Sequence, residues 1–438
     1  MSAIKDKDKK YNMHSWSAQN DVDPLVVTKA EGIYYWDEDG GKHADMSSQL
    51  VNSNLGHGNK ALINALKEQA EKLPFIGPAY AVDVRADAAE GVAKLSGLPD
   101  AKVFFTNAGA EANENVIKIA KQYTGRWKVL SMQRCYHGST SGSGNLTGEP
   151  RGWANQPGPS GHAHFEGPYP YYAPKEVVFN SDADIADYYL EQLKRVINTE
   201  GAENIAVIVM ESVVGSNGIL IPPKEYMQGV RKICDETGIV MACDEVMAGF
   251  YRTGKPFAFQ NFDIQPDLVS FAKGATCGYT QLGGVIMTGK IAHHFDDHPL
   301  VCGMTYSAHP MGCAVACAAL KEYKDQNIEE NVAKVGKVLA EIEDGYVEKH
   351  KCVGEVRHIG LFSGIELIKA PHVPLVPYGK DPEGTMKKIC GMLEKEGFHT
   401  YSHESVLIVA PPLIITEEQL REEMAKMDKV LDSVDKMI

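Results

Sequence analysis

Short apolar runs recur through the middle of the chain, at Lys102–Thr106, Lys128–Met132, 205–210, 239–243, Leu268–Phe271 and 284–288. Each is rich in β-branched or aromatic residues and bounded by turn formers, which predicts buried strands. Helical patterns or long loops separate them, so the alternation is that of βαβ units in an α/β fold. Lys224–Thr237 carries Tyr226, Val230 and Ile233 on one face and stops at Gly238, a helix placed to cover the sheet. Two of the apolar runs end in charge. Asp244 follows 239–243 and Lys273 follows Leu268–Phe271. Charges at buried strand ends are costly unless they are paired or bound to something.

The pattern changes toward both ends. Residues 59–73 form an amphipathic helix (Leu62, Leu66, Leu73) leading into the central region. After about residue 325 a long helix is predicted over 328–350, then a strand at 360–368, a helix at 384–396 and a strand at 405–409. Thr416 and Gln419 form a capping box opening a last helix with Leu420, Met424, Met427, Leu431 and Val434 inward. The expected division is an N-terminal segment, 1–60, belonging to a small α+β domain; a large domain, 61–325; and the rest of the small domain, 326–438. The Gly/Pro/aromatic stretch 148–174 is too long for a simple connector, which marks it as functional.

Composition narrows the function. A formal charge of -14 argues against nucleic-acid binding, which needs a basic face, so an anionic substrate would depend on local arginines. The nine cysteines are scattered and never spaced as CxxC, which argues against a disulfide framework or zinc site and for a reducing cytoplasm. The first fifteen residues lack an apolar core and no run reaches the roughly 20 residues of a membrane span, so neither export nor membrane insertion is expected.

Several motifs carry candidate chemistry. FFTNAGAEANENVIKIAKQYTG, 104–125, reads as strand, small-residue turn and helix, an arrangement that can cradle a phosphate. Taken alone it reads more readily as an ordinary strand-to-helix turn. Tyr136 and His137 end the next strand, where an aromatic could stack on a planar ring or simply fill the core. Glu211 and Asp244 add carboxylates to the edge where ligands of open α/β sheets gather, unless either serves a structural ion-pair network. An aldimine-forming lysine with an acid for a ring nitrogen is the requirement of pyridoxal 5'-phosphate (PLP). GFYRTGKP, 249–256, matches GxxxxGK, but Pro256 stands where a nucleotide loop needs Ser or Thr, which excludes a P-loop NTPase. His162 and His164 in HAHFE alternate as strand residues do, and a loop-surface or substrate-facing role suits them better than a metal.

In order and spacing, FFTNAGAEANE, YHG, GIVMACDEVMAGFYRTGK, PDLVSFAKG and GMTYSAHP resemble the class III (ω-) aminotransferases, a branch of the fold-type I PLP enzymes. GIYYWDEDGGKHADM, NLGHGN, VGEVRHIGLFSGIEL and APPLIITEEQL extend the resemblance over nearly the whole chain. It implies a large domain with a mainly parallel seven-stranded sheet between helices and a smaller α+β domain from the terminal segments. It implies PLP held as a Schiff base by Lys273, with Asp244 on the pyridine nitrogen, Tyr136 and Val246 about the ring, and His137 and Glu211 beside it. Gly109 and Ala110 would give backbone donors to the phosphate, and Thr305 would reach the phosphate of the neighbouring subunit in a homodimer. Amino transfer from an amine donor to a 2-oxo acid would be ping-pong. An aminomutase, racemase or decarboxylase of the same fold is the alternative.

Departures from the family pattern bear on the substrate. Ala108 and Ala110 flank Gly109 where a hydroxyl is usual, Met247 replaces a common glutamine, and Ser212 a proline. In ornithine- and 4-aminobutyrate-type members an arginine precedes the PP motif by three residues, and in ornithine-type members a glutamate screens it; those positions are Ile408 and Ser216 here. Arg151, in the long loop, is the substitute candidate, and a solvated or interfacial role is its alternative. HSWSAQ, 14–19, with LTGEPRGWANQPG, 146–158, looks like the taurine aminotransferase group, making Trp16 and Gln19 candidate pocket residues. A sulfonate suits an arginine fork. Taurine is the favoured donor, β-alanine and 4-aminobutyrate the others, with 2-oxoglutarate or pyruvate as acceptor.

Overall fold

The central sheet has the strand order 102–106, 283–287, 268–271, 240–244, 205–211, 128–132, 162–165. These strands come from a computed structural model that describes residues 3–438, so residues 1 and 2 of the expected N-terminal segment lie outside the described residues. Only Gly283–Met287 runs against its neighbours; the rest are parallel. Parallel strands buried on both faces need apolar residues at every position, and Ile205–Glu211 and Val240–Asp244 are buried throughout. Helices Gly109–Thr124 and Lys224–Thr237 end in left-handed glycines, Gly125 and Gly238, as their patterns predict.

The seventh strand is supplied from inside the long Gly/Pro loop. His162–Phe165 pairs in parallel with Lys128–Met132 at the sheet edge. His164 Nε2 there meets the carbonyl of Leu146 at 3.1 Å, and His162 Nδ1 that of Pro159, so both act within the loop. A second sheet joins Val27–Glu31, Tyr34–Asp37 and Lys42–Asp45 to Phe398–His399, uniting chain segments from opposite ends. A third contains Val353–Ile359, Phe362–Ala370 and Val406–Val409, backed by helix Ile328–Lys349, on which helix Glu417–Val434 packs. The Thr416–Gln419 capping box is formed. No helix among the described residues is long and apolar enough to cross a membrane.

The segment that imitates a nucleotide loop is a staple. Arg252 is fully buried, and its Nη1 donates to the carbonyls of Leu361 (2.8 Å) and Pro411 (2.6 Å). Nη2 donates to Ser48 Oγ at 3.1 Å and Asn54 Oδ1 at 3.0 Å. One guanidinium thus joins the N-terminal segment, the loop after Asp244 and the C-terminal PP motif. Burial pulls its pKa down to about 10, leaving it cationic at neutral pH. Removing it strands several buried acceptors, so Arg252→Met is expected to cost about 3 kcal/mol. Urea denaturation measures this, and a wild-type midpoint contradicts the staple.

Candidate active site

The carboxyl ends of adjacent strands bring the candidate residues together. Glu211 and Asp244 sit side by side in register, and Ser270, three residues before Lys273, pairs with Asp244 on the other side. Asp244 Oδ2 accepts from Asn113 Nδ2 and meets His137 Nδ1, each at 2.7 Å. Among the described residues its Oδ1 accepts only the N–H of Val246, at 3.0 Å. Both side-chain donors therefore grip one oxygen and leave the other turned to its own strand-end loop. Asn113 was not singled out from the sequence. Its signal was an amide on the apolar face of the helix, among Ala112, Val116, Ile117 and Ala120. His137 is buried and acts through Asp244; burial pulls its pKa down, but Cys135 and Asp244 outweigh that and raise it well above normal.

Lys273 has backbone φ of 39°, an uncommon value for a lysine, at the start of the turn Lys273–Ala275. Gly274 makes this turn possible, since a Cβ there would lie 2.7 Å from Phe250 Cβ and 2.8 Å from Asn54 Nδ2. Among the described residues no hydrogen bond or ion pair occupies its Nζ. Burial lowers the Lys273 amine to about 8 against the pull of Asp244 and Glu211, and Arg151 adds to the lowering. Glu211 is likewise pushed up to about 7 by burial, while its oxygens accept from Tyr136 N (3.0 Å) and Gly215 N (2.7 Å).

The helix at Gly109 starts without a side-chain cap on Ala108, so its first N–H groups remain available to an anion. Gly109 also packs closely on Val246: a Cβ would stand 2.8 Å from both Val246 methyls. Gly138 plays the same part opposite Ala110, where a Cβ would meet Ala110 Cβ at 2.6 Å. Met247 fills space against Gly215.

Toward the outside, the Arg151 guanidinium lies 4.1 Å from the Tyr136 ring and 5.8 Å from Trp16. Trp16 meets Tyr136 edge-on at 6.2 Å. Arg151 Nη2 donates to Ser216 Oγ at 2.7 Å and Nε to Glu149, and no partner takes Nη1 among the described residues. Gln19 is not part of this cluster. Its amide spends itself on the backbone of His14 and Ser17, shaping the loop that presents Trp16. Thr305 lies exposed before helix Pro310–Asp325, with no hydrogen bond to the site within this chain. Ile408 is buried in a strand paired with Phe362–Ala370.

A family model for aminotransferase class-III matches residues 16–431. The chain is a class III aminotransferase. It is similar to taurine–pyruvate aminotransferase of Bilophila wadsworthia, with 31% identity over 98% of this chain and 96% of that protein. A probable 4-aminobutyrate aminotransferase of Bacillus subtilis is 30% identical over 92% of each chain. Among solved structures, taurine:2-oxoglutarate aminotransferase from Bifidobacterium kashiwanohense, in complex with PLP and glutamate, shares 44% identity at a TM-score of 0.96. That match covers 99% of this chain and 98% of the other.

Enzymes of this class use PLP, which is the cofactor of this aminotransferase. The residues present fit it: an unpartnered amine, a carboxylate oxygen left free by its side-chain donors, and an uncapped helix terminus for the phosphate. Because the Lys273 amine titrates near 8 rather than the usual 10.5, PLP uptake by the apoenzyme should quicken about tenfold per pH unit up to about pH 8 and then level off. Stopped-flow absorbance follows it; a rate still rising through pH 10 shows an unperturbed lysine.

Proposed function

We propose that this aminotransferase moves the terminal amino group of taurine, or of a small ω-amino acid, to 2-oxoglutarate by a ping-pong cycle. Bound PLP supplies an electron sink and carries the amino group between the half-reactions. Lys273 holds the cofactor and, once released, its Nζ moves the proton at the substrate carbon; an amine near 8 is neutral often enough to do so at physiological pH. Asp244, gripped at one oxygen by Asn113 and His137, keeps the other for the ring nitrogen. Tyr136 and Val246 bracket the ring, Glu211 orients the Tyr136 backbone, and Gly109 and Ala110 donate to the phosphate. Thr305 completes the phosphate site of a second copy. The exposed aromatics beside it support such a dimer: Tyr306 packs 5.7 Å from Phe75, and the two are 56% and 42% exposed. Nine unpaired cysteines accord with a reducing cytoplasm.

The observation that carries the substrate reading is Arg151. Its free Nη1, on a guanidinium that lies against the Tyr136 ring and near Trp16, offers a charge-assisted contact to a sulfonate or carboxylate. Ser216, at the position of the family's screening glutamate, hydrogen-bonds this arginine, while Ile408 offers no cation at all. The donor and acceptor named for the protein that shares 44% identity support the choice of taurine and 2-oxoglutarate.

A matrix of taurine, β-alanine and 4-aminobutyrate against 2-oxoglutarate and pyruvate is expected to peak at taurine with 2-oxoglutarate. Arg151→Ala should lower kcat/KM for taurine about 10- to 100-fold and leave an uncharged primary amine little changed. A peak at another donor, or equal losses for charged and uncharged amines, overturns the reading.

A further inference from the structure

Glu149 is a buried carboxylate with no part in the chemistry described so far: it is only 3% exposed and sits two residues before Arg151. One oxygen accepts from Arg151 Nε; the other accepts the Arg151 backbone N–H at 3.3 Å. His403 Nε2 stands 3.6 Å from that second oxygen but supplies no charge, because burial, with Arg151 and Arg134, pushes its pKa down to about 3. The other nearby cation, Arg134, faces Glu404 at 3.4 Å. Among the described residues Arg151 is therefore the one cation paired with Glu149, and the carboxylate side of the pair is enclosed, with side-chain exposures of 23% and 0%. Salt screens such a pair poorly.

An anion arriving at Nη1 meets a guanidinium whose charge is already shared. Resting on the reading of Arg151 above, we propose that Glu149 is a built-in counter-ion of the substrate-anion site, loosening the hold on every sulfonate or carboxylate that enters. The physical reason is simple electrostatics: the substrate anion is attracted by Arg151 and repelled by Glu149 a few ångströms behind it. In a ping-pong cycle a donor, its product, an acceptor and its product pass through one site. Each must leave, so an arginine without a counter-ion would hold anions too long.

Glu149 also caps the short turn Pro150–Asn155, and a purely structural role is the competing explanation. Glu149→Gln separates them, because glutamine removes the charge while keeping one oxygen to accept from Arg151 Nε. With the holoenzyme and methanesulfonate as an unreactive competitor of taurine, the inhibition constant should fall about three- to tenfold. KM for taurine should fall in step, kcat should not rise, and kcat/KM for an uncharged amine should stay at the wild-type value. If Glu149 only positions Arg151, methanesulfonate binding weakens or stays unchanged, and the inference is wrong. Should the glutamine protein fail to fold, Glu149→Asp carries the test: drawing the carboxylate back loosens the pair and should tighten methanesulfonate binding to a smaller degree. Arg151→Ala distinguishes the two levels. If that protein still binds methanesulfonate as the wild type does, the Arg151 reading falls; if it loses the competitor while Glu149→Gln does not gain it, only the counter-ion falls.

Discussion

A carboxylate at the buried end of a central strand can serve a cofactor only if the protein supplies donors that keep it oriented without consuming it. At Asp244 that is achieved by directing Asn113 and His137 to the same oxygen, 2.7 Å each, so that the second oxygen stays committed only to its own turn. Glu211 and Glu245, with hydrogen bonds from backbone amides and, for Glu245, Ser212, are both pushed up to about 7 by burial. The helix that begins at Gly109 contributes twice, since its first turn is left open for a phosphate and its next residues bring Asn113 to Asp244. In the proposed site, one rigid element would position both cofactor phosphate and cofactor ring.

Much of this was legible in the sequence, for identifiable reasons. The strands that end at Glu211 and Asp244 and the one that precedes Lys273 are mostly apolar runs, because burial on both faces favours nothing else, and their boundaries shift by only a residue or so. Glycine stops and the Thr416 capping box are local rules and appear as expected. His162–Phe165 was harder to see, because an edge strand with polar residues inside a Gly/Pro loop has no apolar run to announce it. Arg252 was legible only as a rejected nucleotide motif; its partners lie about 110 to 200 residues away, and no local pattern encodes such a junction.

The substrate region was legible as residue types but not as a network. Arg151 and Trp16 are brought to the Tyr136 ring, whereas Gln19 turns back into its own loop. Long-loop side chains depend on contacts that span the chain, here from Ser216 and His403 to the segment around residue 150, and sequence spacing says little about those. The change at position 216 reads differently once the geometry is known: a residue whose family counterpart screens one arginine now anchors another.

The assignment of Lys273 as the cofactor lysine is the claim on which the remainder depends. Borohydride reduction of the holoenzyme followed by peptide mapping tests it most directly. The phosphopyridoxyl label is expected on Lys273 alone, and Lys273→Ala should take up none; label on another lysine, or undiminished labelling of the alanine protein, contradicts the assignment.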